Sequence, residues 1–130
     1  MERTKEQEQV DQLVKQFWKY GYLTVKRKFG TYLNEPDQIG DYDIDAIGKQ
    51  LNDYAIGITL TTEDFSNQSL VEKITFLASR HTKYSHKEVM LIIGAPFKLK
   101  NEVAVLMNRI SPTIRKNIKV VYFSEKKAIN

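Results

Sequence analysis

Asp41, Asp43 and Asp45 stand at alternate positions in the run Asp41-Tyr42-Asp43-Ile44-Asp45-Ala46-Ile47. On an extended strand this spacing puts the three carboxylates on one face and Tyr42, Ile44 and Ala46 on the other. Neighbouring like charges disfavour one another's ionisation unless water, a cationic side chain or a metal ion intervenes. Hard divalent cations such as Mg2+ take oxygen ligands of this kind, commonly one or two carboxylates completed by water and substrate phosphate. Asp43 and Asp45 are therefore the candidate metal ligands. The same spacing also describes an acidic strand open to solvent, where charge blocks edge-to-edge pairing.

Basic side chains gather in three clusters. Lys26, Arg27 and Lys28 are consecutive, Arg80, His81, Lys83, Tyr84, His86 and Lys87 form a second group, and Arg115, Lys116 and Lys119 a third. Cations interleaved with Tyr and His suit phosphate contacts with some base stacking. Solvated surface is the competing reading of each cluster. Two histidines are too few to build an imidazole metal site.

These groups need elements to hold them. Val10, Leu13, Val14, Phe17 and Trp18 fall on one helical stripe, predicting a helix over 4–20 that ends at Gly21. Residues 22–29 are rich in β-formers and predict a first strand before Gly30. A loop through Gly40 follows, then a second strand over 41–47 and a third over 54–61, turning at Asn52-Asp53. Such short connections predict an antiparallel meander. On the third strand Tyr54, Ile56, Ile58 and Leu60 form a core face, and Ala55, Gly57, Thr59 and Thr61 a small one. The small face either leaves a polar hollow beside the carboxylates or lets a helix pack closely. Beyond it, Leu70, Val71, Ile74, Leu77 and Ala78 predict a helix capped by Ser66 or Asn67. Residues 89–94 are apolar on both faces, as a doubly covered central strand requires. A helix over 100–109, a short turn at Ser111-Pro112 and a last strand over 118–123 complete the order. The expected fold is an α/β sandwich with a mixed sheet between helices, one domain over 1–130.

The chain has 130 residues, with 20 Lys and Arg against 16 Asp and Glu, a net charge of +4, and no cysteine. The absence of thiols removes disulfide frameworks, cysteine nucleophiles and thiolate zinc sites. The charged segment Glu2-Arg3-Thr4-Lys5-Glu6 and the lack of any apolar run near the ~18 residues of a membrane span predict a cytoplasmic chain without membrane contact. The net charge hides a segregation. Residues 31–64 hold eight acidic side chains against Lys49, while residues 65–130 hold 12 basic and 4 acidic ones. A basic body around an acidic segment suits a protein that binds a polyanion and holds divalent cations near it.

The helix leading into Gly21-Tyr22-Leu23-Thr24-Val25-Lys26-Arg27, the Asp-bearing strand and the later strand-to-helix crossover resemble the PD-(D/E)XK nuclease superfamily, with the archaeal Holliday-junction resolvases the most similar members. The resemblance runs from about Glu6 to Phe123 and implies a restriction-endonuclease-like three-layer sandwich with a sheet of about five strands. The family pattern is an Asp at the start of the second core strand, then an acidic residue, any residue and a Lys on the third. Asp45 matches the first Asp, with Asp43 the second choice, whereas Pro36-Asp37 comes too early, in the loop. The triplet falls at Gly57-Ile58-Thr59, where Gly replaces the acid and Thr the Lys. In the family the carboxylates hold Mg2+ and the Lys serves the attacking water. Glu63, Glu72 and Lys73 are the candidates for relocated groups, although adjacent residues 72 and 73 point about 100° apart around a helix.

The expected function is nucleic-acid binding, of DNA in the first place, on a nuclease-like fold with an incomplete metal site and no efficient cleavage. The binding residues would be Lys26, Arg27, Lys28, Arg80, Lys83, Lys87, Arg115 and Lys116. Two alternatives stand beside it. One is an active Mg2+-dependent endonuclease or junction resolvase, acting as a homodimer. The other is a protein-interaction subunit using the Trp18, Tyr20 and Tyr22 region.

Overall fold

The computed structural model describes residues 4–83 and 86–124. Helix α1 spans Lys5–Lys19. Thr4 begins it with a capping box, its Oγ1 accepting from the Gln7 N–H at 3.2 Å while Gln7 Oε1 accepts from the Thr4 N–H at 2.8 Å. Val10, Leu13 and Phe17 are buried along the expected stripe, but Trp18 leaves it and is 70% exposed. Gly21, at φ +87°, turns the chain out of the helix.

Five strands follow: β1 (Leu23–Arg27), β2 (Ala46–Gln50), β3 (Asp53–Thr59), β4 (Met90–Pro96) and β5 (Ile118–Phe123). They form one sheet in the order β1-β2-β3-β4-β5. The first three pair antiparallel as a meander, and β4 and β5 join in parallel. Parallel neighbours need crossovers, supplied by α2 (Leu70–Ala78) and then by α3 (Lys100–Asn108) with the short α4 (Pro112–Arg115). Helix α1 covers one face, where Leu13 and Phe17 pack on Ala46, Ala55, Ile92, Val121 and Phe123. The other face carries Ile56, Ile58, Leu91 and Ile93 under Leu70, Ile74, Val103 and Leu106. Strand β4 is thus buried on both sides, as its unbroken apolar run requires. No helix among the described residues is long and apolar enough to cross a membrane.

The second strand differs from expectation. It begins at Ala46, so Asp41, Asp43 and Asp45 do not form a row on one strand face. Gly40, at φ +61°, permits a tight turn in which Ile39 and Tyr42 exchange backbone hydrogen bonds of 3.0 and 3.1 Å. That turn consumes Asp41 and delays the strand. At the other end β2 continues to Gln50, and the chain reverses through Leu51-Asn52, with Leu51 at φ +54°. Helix α2 also starts later than expected, with Ser69 as its N-cap in place of Ser66 or Asn67. Residues 62–66 form a separate 3-10 turn.

Candidate functional site: the two ends of the sheet

Asp45 lies immediately before β2, where its N–H donates to the Gly57 carbonyl at 2.8 Å and its carbonyl accepts from the Lys28 N–H at 2.9 Å. Its carboxylate is already engaged. Oδ2 accepts from the Thr59 N–H at 2.7 Å and from the Thr59 hydroxyl at 3.0 Å, and the Lys28 ammonium stands 3.6 Å from Oδ1. The Asp45 side chain is 15% exposed, so these contacts occupy most of what it presents. Thr59, where the nuclease pattern has its Lys, therefore ties this carboxylate to β3. The cation beside Asp45 comes instead from Lys28, just past the end of β1.

Gly57, where the pattern has its acid, pairs with Ala46 and lies against α1. A Cβ at this position would come within 2.6 Å of Phe17 Cζ and 2.9 Å of Leu13 Cδ2. Of the two readings of the small face, close helix packing is the one realised, and position 57 has no room for a carboxylate.

The remaining acidic candidates stand apart. Asp43 is exposed and accepts from Gln38 Nε2 at 2.9 Å. Glu63, on the 3-10 turn, has its carboxyl held below the usual range by a hydrogen bond from its own backbone N–H, then by the Thr61 hydroxyl, with Lys5 and Lys98 adding to the effect. Glu72 is exposed on the first turn of α2 beside Lys73. Among the described residues no three His, Asp or Glu side chains gather where they could hold a metal ion. One carboxylate, saturated by an amide, a hydroxyl and an ammonium, does not match the oxygen-rich donor set that Mg2+ takes.

The first basic cluster is locally matched by acids. Lys26 faces Asp37 at 3.9 Å, Arg27 binds Asp11, and Lys28 faces Asp45. Arg27 Nε also donates to the Lys28 carbonyl at 3.1 Å. β1 is an edge strand, and Leu23 and Val25 are exposed along it.

The second and third clusters come together at the opposite end, where β3, β4 and β5 begin. His81 bridges to Glu88, the Val89 N–H donates to the Arg80 carbonyl, and Lys116 reaches Glu88 at 3.9 Å. Asn117 Nδ2 donates to the Ala78 carbonyl at 3.4 Å, tying the start of β5 to the end of α2. Arg80, Lys83, Lys87 and Lys116 thus share one end, and Lys87 meets Asp53 at 3.5 Å. Arg115 serves the scaffold, donating to the Met107 carbonyl at 3.3 Å, and Lys119 lies over the Tyr20 ring at 5.5 Å. Tyr84 lies outside the described residues. The seven residues of β3 separate this end from Asp45, a span of about 20 Å.

Two features here escape a linear reading. Lys28 as the partner of Asp45 depends on strand pairing that no motif announces. The other is a cleft of about 610 Å3 at the basic end, with Ile39, Ile47, Tyr54, Ile56 and Val89 in its wall and Arg80, Lys83 and Lys87 around it. Comparison with protein-family models, with curated proteins and with solved structures finds no match.

Proposed function

We propose that this chain binds nucleic acid, DNA in the first place, through the basic end of its sheet, on a restriction-endonuclease-like scaffold whose metal centre is incomplete and which does not cleave. The observation that carries the binding is the convergence of Arg80, Lys83, Lys87 and Lys116, drawn from separate stretches of chain, onto one end. Multiple cations within reach of one backbone add their phosphate contacts. The scaffold reading is supported by the meander followed by parallel crossovers and by Asp45 at the threshold of β2. The expectation of no cleavage is supported by Gly57 packed on Phe17 and Thr59 bonded to Asp45.

Electrophoretic retardation across a salt series, run beside a cleavage assay with Mg2+ or Mn2+, tests the reading. Labelled duplex, branched and single-stranded substrates should be retarded at low salt, released as salt rises and recovered intact. Cleavage that disappears in Asp45→Ala would establish an active nuclease instead. No retardation at low salt would favour the interaction subunit, for which Trp18 at 70%, Leu23 at 59% and Val25 at 40% exposure beside an edge strand supply the surface. Light scattering would then report the self-associated state.

A further inference from the structure

The cleft at the basic end has two chemically distinct halves. Its wall is apolar and partly aromatic, with Tyr54 and Ile56 from β3, Ile47 from β2 and Val89 leading into β4. Its cations are Arg80, Lys83 and Lys87, with Asn52 and Thr82 as neutral polar neighbours, and none of the described lining residues is a carboxylate. The Arg80 guanidinium carbon lies over the Phe76 ring, 4.1 Å from its centroid, and its Nε is buried without a hydrogen-bond partner among the described residues. A guanidinium over an aromatic ring can still direct its terminal N–H groups at a planar or tetrahedral anion. A volume of about 610 Å3 lies within the range that encloses one small organic ligand.

We propose that this cleft receives one nucleotide, its planar base against Tyr54 and Ile56 and its phosphate on Arg80 and Lys87. An apolar ligand would leave the cationic half of the cleft unused, and a bare phosphate would leave the wall unused. A heteroaromatic ring carrying phosphate satisfies both halves. Free nucleotide and an unpaired nucleotide in a strand share this chemistry. The strand form rests on the nucleic-acid reading above, and makes unpaired strands or strand ends the preferred substrates of the basic end, since a duplex keeps its bases stacked away from the cleft.

The test titrates the full chain with deoxythymidine monophosphate, thymidine and inorganic phosphate, following backbone amides by NMR, and then with a fluorescein-labelled oligothymidylate and its duplex. The amides of Tyr54, Ile56 and Val89 should move with the monophosphate, which should bind about tenfold or more tightly than either fragment. Arg80→Gln and Lys87→Gln should each weaken it by about tenfold. Lys87 is exposed, so its variant should melt with the parent and isolates the binding effect if Arg80→Gln disturbs folding. Cleft amides that stay unmoved, or phosphate binding as well as the monophosphate, would overturn the proposal. Duplex retarded with the cleft amides unmoved would sink this inference alone and leave the proposed function standing. Monophosphate bound in the cleft while no strand is retarded would do the reverse.

Discussion

The two ends of the sheet carry charge of opposite character and treat it in opposite ways. At the β2 threshold nearly every charge is spent within the molecule: Asp45 on Thr59 and Lys28, Arg27 on Asp11, Lys26 on Asp37. At the start of β4 and β5, Asp53 meets Lys87 and Glu88 meets Lys116, and a cleft with Arg80, Lys83 and Lys87 around it opens to solvent. Residues 31–64 hold half of the acidic side chains of the sequence, yet Asp45, the candidate metal ligand among them, is already bonded within the molecule. The separation also bears on mechanism, because a phosphate held at one end would lie about a strand length away from Asp45 at the other.

The sharpest way to break this contrast is to rebuild the acid end. Gly57→Glu with Thr59→Lys would write the acid-x-Lys triplet of the proposed scaffold, but the new carboxylate side chain meets Phe17 and Leu13, and Thr59→Lys removes the hydroxyl bonded to Asp45. The expected outcome is destabilisation of more than about 3 kcal/mol in denaturant titration, with no cleavage gained. Asp45→Ala comes next, at about 1.5–3 kcal/mol, because a charge-assisted pair of bonds to β3 is lost. Its nucleic-acid retardation should match the parent, and a loss of binding at equal folded fraction would erase the distinction between the ends. Lys87→Ala and Lys116→Ala should leave unfolding within about 0.5 kcal/mol of the parent. Each should lower the salt slope of binding by about 1.

Smaller effects sharpen the contrast within the basic end. Leu51 holds a left-handed backbone on an exposed turn, so Leu51→Gly should gain up to about 1 kcal/mol in thermal melting. The Tyr22 hydroxyl is pushed above its ordinary value, first by burial and then by Asp53. A raised folded value means that this contribution is complete below about pH 10 and fades as pH rises through the folded value. Tyr22→Phe should flatten that alkaline loss in pH-dependent melting, and an unchanged slope would remove Tyr22 as its source.

Much of the scaffold was legible because periodicity is a local property. The α1 stripe, the doubly apolar run of β4 and the bounds of β5 follow from residue spacing alone. The acidic row failed at Gly40, where one positive φ turned a strand-like alternation into a hairpin tip. Trp18 obeyed the stripe in spacing yet faces solvent, since periodicity states which residues align and not how wide the covering surface is. The site was less legible for a different reason. Arg80, Lys87 and Lys116 meet only because two parallel crossovers return the chain to the same end, and Lys28 finds Asp45 only through the pairing of β1 with β2. Neither fact is encoded in neighbouring residues.

The contact between Gly57 and Phe17 has a consequence for how this chain can change over generations. A carboxylate at position 57 becomes tolerable only after the helix across from it has yielded, so Phe17 must shrink first, and that step alone opens a hole in the α1 core. Each substitution is harmful without the other. A version of this chain with an acid at position 57 is therefore separated from the present one by a valley rather than a slope, and the aromatic ring acts as a ratchet that holds the strand free of charge.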